Sequence, residues 1–215
     1  MMKNVIFLGP PGCGKGTQAA LLTAKLDYVK VSTGDLLREM AKQDNDLARK
    51  IHDILSQGIL VSNEIVNQLI ERFYAENKNT KGVILDGYPR CLEQAKSLEL
   101  ILKNSNNKVS KVFYFDIAED ILVKRITGRY ICNKCGAIYN SFFHNTELPG
   151  ICDKCHSTDF NKRSDDSKEI IIERLQVFKN LTKPLLEYYS NKLIKVDAEQ
   201  SVKLILNQVI KSLVD

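Results

Sequence analysis

Short apolar runs alternate with amphipathic stretches along the chain. "VIFL" (Val5 to Leu8) predicts a strand, and "GPPGCGKGT" (Gly9 to Thr17) turns it into a helix that runs to about Leu26. A short strand is expected around Val29 to Val31, followed by helical patterns from Asp35. These include "IVNQLIERF", whose apolar residues Ile65, Val66, Leu69, Ile70 and Phe73 fall at helical spacing. The strand "GVILDG", a helix near Leu92 to Leu102, the strand "KVFYFDI" and a helix near Glu119 to Gly128 come next. A long helix is expected from about Lys168, bent or ended near Pro184, before the strand "LIKVD" and a closing helix from Ser201. Apolar strands separated by helices imply an α/β fold, with a parallel sheet of about five strands flanked by helices on both faces.

From Arg129 to Asp166 this alternation breaks. Paired cysteines, aromatics and Pro149-Gly150 replace any helical period, which marks an insertion with its own means of support. A chain of 215 residues accommodates one α/β domain with such a small insert. No apolar run approaches the roughly 18 residues of a membrane span, and the strand at the amino terminus leaves no leader-like region. A soluble, cytoplasmic protein with no membrane partner is the expectation. The formal charge of +5 is mild and spread along the chain, which suits a polyanionic small molecule at least as well as nucleic acid.

The glycine-rich loop carries the first chemistry. A strand, a glycine turn and a helix form an anion site, because peptide N–H groups and the helix N-terminus converge there. Lys15 adds a mobile charge for terminal phosphates. The loop departs from the usual G-x-x-x-x-G-K-[ST] pattern: Gly16 stands where a hydroxyl is expected, and Thr17 comes one place later. A dinucleotide fold would place glycine at Thr17 and have little use for Lys15.

Of six cysteines, four fall into two C-x-x-C pairs, Cys132 with Cys135 and Cys152 with Cys155, separated by 16 residues. That spacing fits a Cys₄ zinc ribbon, in which tetrahedral zinc takes two thiolates from each turn. Four protein ligands leave no open position, so the zinc is expected to be structural. His144 and His156 are candidate substitute ligands but read better as surface residues. Cys13 and Cys91 remain as thiols.

The string "GKGT" resembles the loop of the nucleoside monophosphate kinases, and this chain is most similar to the adenylate kinase family. "STGDLLR" (Ser32 to Arg38), "LDGYPR" (Leu85 to Arg90), "RITGR" (Arg125 to Arg129), "RSDD" (Arg163 to Asp166) and "ERL" (Glu173 to Leu175) follow in that family's order and spacing, over nearly the whole chain. The resemblance implies MgATP + AMP ⇌ 2 ADP in a monomer. It divides the chain into a core (1–31, 62–128 and 167–215), a monophosphate-binding helical segment (32–61) and a zinc-binding lid (129–166).

It also implies the site. Lys15 with the amides of Gly12, Cys13, Gly14, Gly16 and Thr17 would hold ATP, helped by Arg129, Ile138, Tyr139 and Gln200. AMP would meet Thr33, Arg38, Ile59, Leu60, Val61, Gly87, Tyr88, Pro89, Arg90, Gln94, Arg163 and Arg174. Gln94 suits a base edge because a carboxamide offers both a donor and an acceptor. Lys15, Arg90, Arg125, Arg129, Arg163 and Arg174 would act in transfer, and Asp86, ending "VILD", would hold Mg²⁺ through water. Asp116 reads instead as a solvated strand end. No general base is expected, because a phosphate acceptor is already largely ionised at neutral pH. Tyr130 replaces a second arginine of many relatives, Ala198 a glycine, and Cys13 an alanine. The alternatives are a UMP or CMP kinase, a nucleic-acid-binding zinc ribbon flanked by Lys134 and Lys154, or a P-loop switch protein.

Overall fold

The computed structural model describes residues 2–214. Along the chain, β1 (Lys3–Leu8) leads into α1 (Lys15–Leu26), and β2 (Val29–Ser32) into α2 (Thr33–Met40), α3 (Asp46–Ser56) and α4 (Asn63–Glu76). Next come β3 (Gly82–Asp86), α5 (Leu92–Asn104), β4 (Val109–Asp116) and α6 (Glu119–Thr127). Three short strands, β5 (Arg129–Cys132), β6 (Ile138–Asn140) and β7 (Phe160–Asn161), precede α7 (Lys168–Val177). Then α8 (Leu185–Tyr188), β8 (Leu193–Asp197) and α9 (Val202–Val214) complete the described chain.

Because successive strand residues face opposite sides, a strand with helices on both faces must be apolar throughout. β1 meets that condition from Val5 to Leu8, and the buried Asn4 before them has its amide donating to Lys108 O (3.1 Å) and accepting from the Tyr74 hydroxyl (2.9 Å). Val5 and Phe7 pack with Ile84, Phe113 and Phe115 under Leu22, Leu122 and Val209, from α1, α6 and α9. Ile6 and Leu8 face the other way, with Leu85, Val112, Ile70 and Leu98. Each such side chain contributes about 1.5–3 kcal/mol when fully buried.

The five strands are all parallel, in the order β2-β3-β1-β4-β8. The connection from β1 leads out past β3 to β2, while β4 pairs on the other side of β1. The carboxyl ends of β1 and β3 therefore open at a reversal of strand order, where α/β sheets bind ligands. The insert forms a separate antiparallel sheet, β6-β5-β7, around a small cluster of Cys132, Ala137, Tyr139 and Cys152. Among the described residues no helix is long and apolar enough to cross a membrane.

Two boundaries differ from the sequence reading. α2 begins at Thr33 rather than Asp35, because Ser32 Oγ accepts the Asp35 N–H (3.3 Å) and caps the helix early. The helix from Lys168 departs from α geometry at Val177, well before Pro184. A π-helical turn spans Phe178–Thr182, with Lys183 N donating to Phe178 O at 2.9 Å. Pro184 has no N–H with which to continue an α ladder. The turn also buries Thr182, whose Oγ1 donates to Arg90 O at 2.9 Å.

Candidate active site

In the loop after β1 the Cys13 N–H donates to Pro10 O at 3.4 Å, while the donors at the start of the following helix have no capping side chain. α1 starts at Lys15 behind Gly14 (φ 100°), with no side-chain cap and no acidic residue in its first turn. Its first peptide N–H groups are thus open to an anion. Gly12 (φ 81°) is required sterically, since a Cβ there would lie 2.5 Å from Ile126 Cγ1. The departure at Gly16 also has a physical reason: a Cβ at that position would stand 3.3 Å from Asp86 Oδ2. Glycine lets the carboxylate at the end of β3 approach the loop. Lys15 Nζ folds over the loop, donating to Gly9 O (2.7 Å) and Pro10 O (2.8 Å), and lies 3.3 Å from Cys13 Sγ.

The loop opens into a cleft of about 400 Å³ lined by eight cationic side chains and three carboxylates. This cleft gathers the predicted arginines. Arg129 makes two hydrogen bonds to Asp166, one from Nε at 2.8 Å to Oδ2 and one from Nη2 to Oδ1. Arg174 Nη1 reaches Asp165 Oδ2 at 3.1 Å and Asp166 Oδ1 at 3.3 Å. Two pairs join the cysteine-bearing insert to α2: Arg163 with Asp35 at 3.6 Å and Arg38 with Asp165 at 3.9 Å. Arg38 also donates to Asp35 Oδ1 at 2.6 Å. Arg90 Nε donates to Gly87 O at 2.8 Å. Arg125 stands apart, its guanidinium 5.7 Å from the Phe143 ring centroid in a cation–π contact.

Burial, and after it the crowding of like charge, shifts the ionisation of these groups. Burial lowers Arg90 to about 10, with Arg174 and Arg38 pushing the same way, so it stays charged at neutral pH. Arg163 also falls to about 10, through burial, Arg129 and Arg38. Burial would raise Asp35, but Arg38, Lys30 and Ser32 outweigh it and bring the carboxyl down to about 2. Asp165 is likewise lowered, its burial overcome by Arg174, Arg38, Arg163 and Arg129. Among the described residues, Arg163 Nε is buried without a hydrogen-bond partner. A surplus of arginine with an orphaned donor is a site built for an anion.

Asp35, Asp165 and Asp166 were not singled out from the sequence as functional. Their signal was there, since Asp35 sits one helical turn before Arg38 and the two acids follow Arg163 closely in "RSDD".

On the side bounded by α2 and α5, Thr33, Ile59, Leu60, Val61, Gly87, Pro89 and Gln94 line the cleft. Thr33 Oγ1 donates to Gly87 O at 2.8 Å. Gln94 is almost wholly buried, not the exposed helix residue that its type alone would suggest. Tyr88 does not line the cleft; its side chain is fully buried, with its hydroxyl between Asn67 Oδ1 (2.7 Å) and Gln94 O (3.1 Å). On the opposite side, Ile138, Tyr139, Ala198 and Gln200 line it. Tyr139 spends its hydroxyl elsewhere, 3.3 Å from Cys152 Sγ and accepting Asp153 N–H at 2.9 Å. Ala198 lies outside the left-handed region, so its backbone does not need the glycine of relatives. Tyr130 stacks on Tyr139 (5.5 Å, 21°) and bonds Asn145, which makes it part of the insert's packing. Asp116 pairs with Lys195 at 2.7 Å at the strand end.

The sulfurs of Cys132, Cys135, Cys152 and Cys155 all lie within 4.8 Å of one another. Zinc–sulfur bonds of about 2.3 Å in a tetrahedron require separations of this order. Peptide N–H groups of Lys134 and Cys135 point at the Cys132 sulfur, and those of Lys154 and Cys155 at the Cys152 sulfur. Such donors stabilise thiolates, so the donor set fits a zinc ion. His144 and His156 are not in this cluster; His144 stacks on Tyr139 at the cleft rim (5.7 Å, 19°).

Comparison with known proteins agrees with this geometry. The family model described as "Adenylate kinase" matches residues 7–194. The chain is 46% identical over 187 residues to an adenylate kinase of Rickettsia prowazekii (strain Madrid E), spanning 87% of this chain and 86% of that protein. It is 45% identical over the same shares to that of Rickettsia conorii, and 44% to that of Rickettsia africae. A phosphate loop facing a ring of arginines, and sequence agreement across nearly nine-tenths of the length, lead to one conclusion: the chain belongs to the adenylate kinase family.

Proposed function

We propose that the chain catalyses reversible phosphoryl transfer from MgATP to AMP, giving two ADP, with the residue roles that follow. The observation that carries the reading is the convergence of the phosphate loop and five buried or half-buried arginines on one cleft, with Arg163 Nε unpaired among the described residues. Lys15 and the loop amides hold the donor phosphates, and Arg38 and Arg90 the acceptor phosphate. Arg129, Arg163 and Arg174, with Arg125 at the rim, stabilise charge on the group in transit. Transfer between phosphates calls for alignment and charge stabilisation, and the ionised acceptor oxygen needs no base. Asp86 would hold Mg²⁺ through water, where it would neutralise charge on the donor phosphates.

The arginines arrive by different routes: Arg38 on segment 32–61, Arg129 and Arg163 on segment 129–166, Arg90 and Arg174 on the core. Bringing the two segments together assembles the ring and excludes the water that competes for the phosphoryl group. Cys132, Cys135, Cys152 and Cys155 would hold a zinc ion that orders the lid, with no open position for chemistry. The reading includes a cytoplasmic monomer with no nucleic-acid partner.

A coupled assay with MgATP and AMP, GMP, CMP or UMP tests the reading. AMP should be strongly preferred, and Lys15→Met should cut transfer by about 10²–10³ while the melting profile is kept. Equal rates with AMP and CMP, or near-normal transfer by a folded Lys15→Met protein, would overturn it.

A further inference from the structure

The buried carboxamide of Gln94 lies within a chain of hydrogen bonds whose direction is set at both ends. Its Oε1 accepts the Arg90 peptide N–H at 2.8 Å, and its Nε2 donates to Asn63 Oδ1 at 2.9 Å. Asn63 in turn donates from Nδ2 to Glu93 Oε2 at 2.5 Å. The Cys91 thiol also points at Asn63 Oδ1, at 3.6 Å. A peptide N–H only donates and an ionised carboxylate only accepts. Turning Gln94 over would set its amide nitrogen against the Arg90 N–H and its oxygen against Asn63 Oδ1. Turning Asn63 as well would set its oxygen against the Glu93 carboxylate. Of the possible arrangements, only the one present satisfies every link.

We infer that Asn63 and Glu93 are positioning residues that fix the polarity of Gln94 and thereby set the preference for 6-aminopurine over 6-oxopurine nucleoside monophosphates. The inference rests on the assignment of Gln94 to the base edge in the function proposed above. With two groups committed, Gln94 has one N–H and one oxygen lone pair left, in a fixed order. A 6-aminopurine presents a ring-nitrogen acceptor beside an exocyclic N–H donor, which matches that order. A 6-oxopurine presents a ring N–H beside a carbonyl oxygen, the reverse at each atom. Accepting it in the same placement requires the whole chain to invert or leaves buried groups unpaired. Asn63 opens α4 and Glu93 lies in the first turn of α5, so the packing of these two helices carries the polarity into the pocket.

The test compares AMP with IMP, which share ring size and differ at this edge. It uses equilibrium titration and kcat/KM on the full chain, on Asn63→Leu, on Asn63→Asp combined with Glu93→Gln, and on Glu93→Ala. Asn63→Leu should narrow the AMP:IMP ratio about tenfold, mainly through KM. Asn63→Asp, combined with Glu93→Gln so that an N–H faces the new carboxylate, keeps an acceptor facing Gln94 and should hold the ratio within about threefold of the parent. Glu93→Ala is a surface change with little risk to folding, and should narrow the ratio about threefold. An unchanged ratio in both Asn63→Leu and Glu93→Ala, or equal loss of AMP and IMP, overturns the inference. Failure of the underlying function would show differently, as no AMP transfer by the unsubstituted chain.

Discussion

Asp166 offers the sharpest test of how the arginine ring is held. Its side chain is 5% exposed and takes both guanidinium bonds of Arg129 and one contact from Arg174. Asp166→Asn keeps the shape and removes the charge, leaving Arg129, itself only 13% exposed, without an ionic partner. Breaking a fully buried pair costs about 3–5 kcal/mol, because the remaining charge is desolvated and unpaired. Here the arginines border an open cleft and Arg174 keeps Asp165, so about 2–3 kcal/mol is the reasoned figure. For a chain of this length that corresponds to a fall in Tm of about 5–10 °C. Phosphates can supply the missing charge. With a saturating bisubstrate analogue, two adenosines joined through five phosphates, the deficit should shrink by at least about half. Calorimetry of parent and variant, with and without the analogue, measures both quantities. A Tm within about 1 °C of the parent, or a deficit that the analogue leaves untouched, would show that Asp166 is not the counter-charge of the ring.

Other expectations follow from the same geometry. Cys132→Ser combined with Cys152→Ser should release one zinc per chain and add an early lid transition by calorimetry, while activity at low temperature falls only partly. Structural zinc supplies about 10–16 kcal/mol of apparent binding energy, enough to order a piece too small for its own core. Loss of the sheet domain in that same transition would refute the separation. The Asp35 carboxyl is held down near about 2, so its contribution is full above the ordinary carboxylate range and is lost as pH falls towards that value. Chemical denaturation followed by circular dichroism should show a parent-minus-Asp35→Asn difference that is constant from about pH 5 to 7 and declines below about pH 4. Its side chain is 46% exposed, so the difference should be about 1 kcal/mol or less. A difference that grows on acidification would contradict the assignment.

How much of this was legible in the residues varies with the range of the interaction. "VIFL" and "VILD" are buried strand runs bounded by glycine turns, and the parallel sheet follows from such local patterns alone. The loop and the paired cysteines were readable for the same reason: each places its functional atoms within a few residues. Patterning could not say that β1 lies between β3 and β4, since strand order depends on how the crossovers pack. It could not place Asp165 against Arg38, far away in sequence, or show that Asp86 leans over Gly16, where an added Cβ would meet its carboxylate at 3.3 Å. A bend near Pro184 was visible locally, but that it takes the form of a turn over Phe178–Thr182 with Thr182 bonded to the Arg90 carbonyl depends on another segment. Gln94 shows the division most clearly. Its residue type announces a donor and an acceptor, but their order is decided by Asn63, Glu93 and a peptide N–H, which only the folded chain brings to one place.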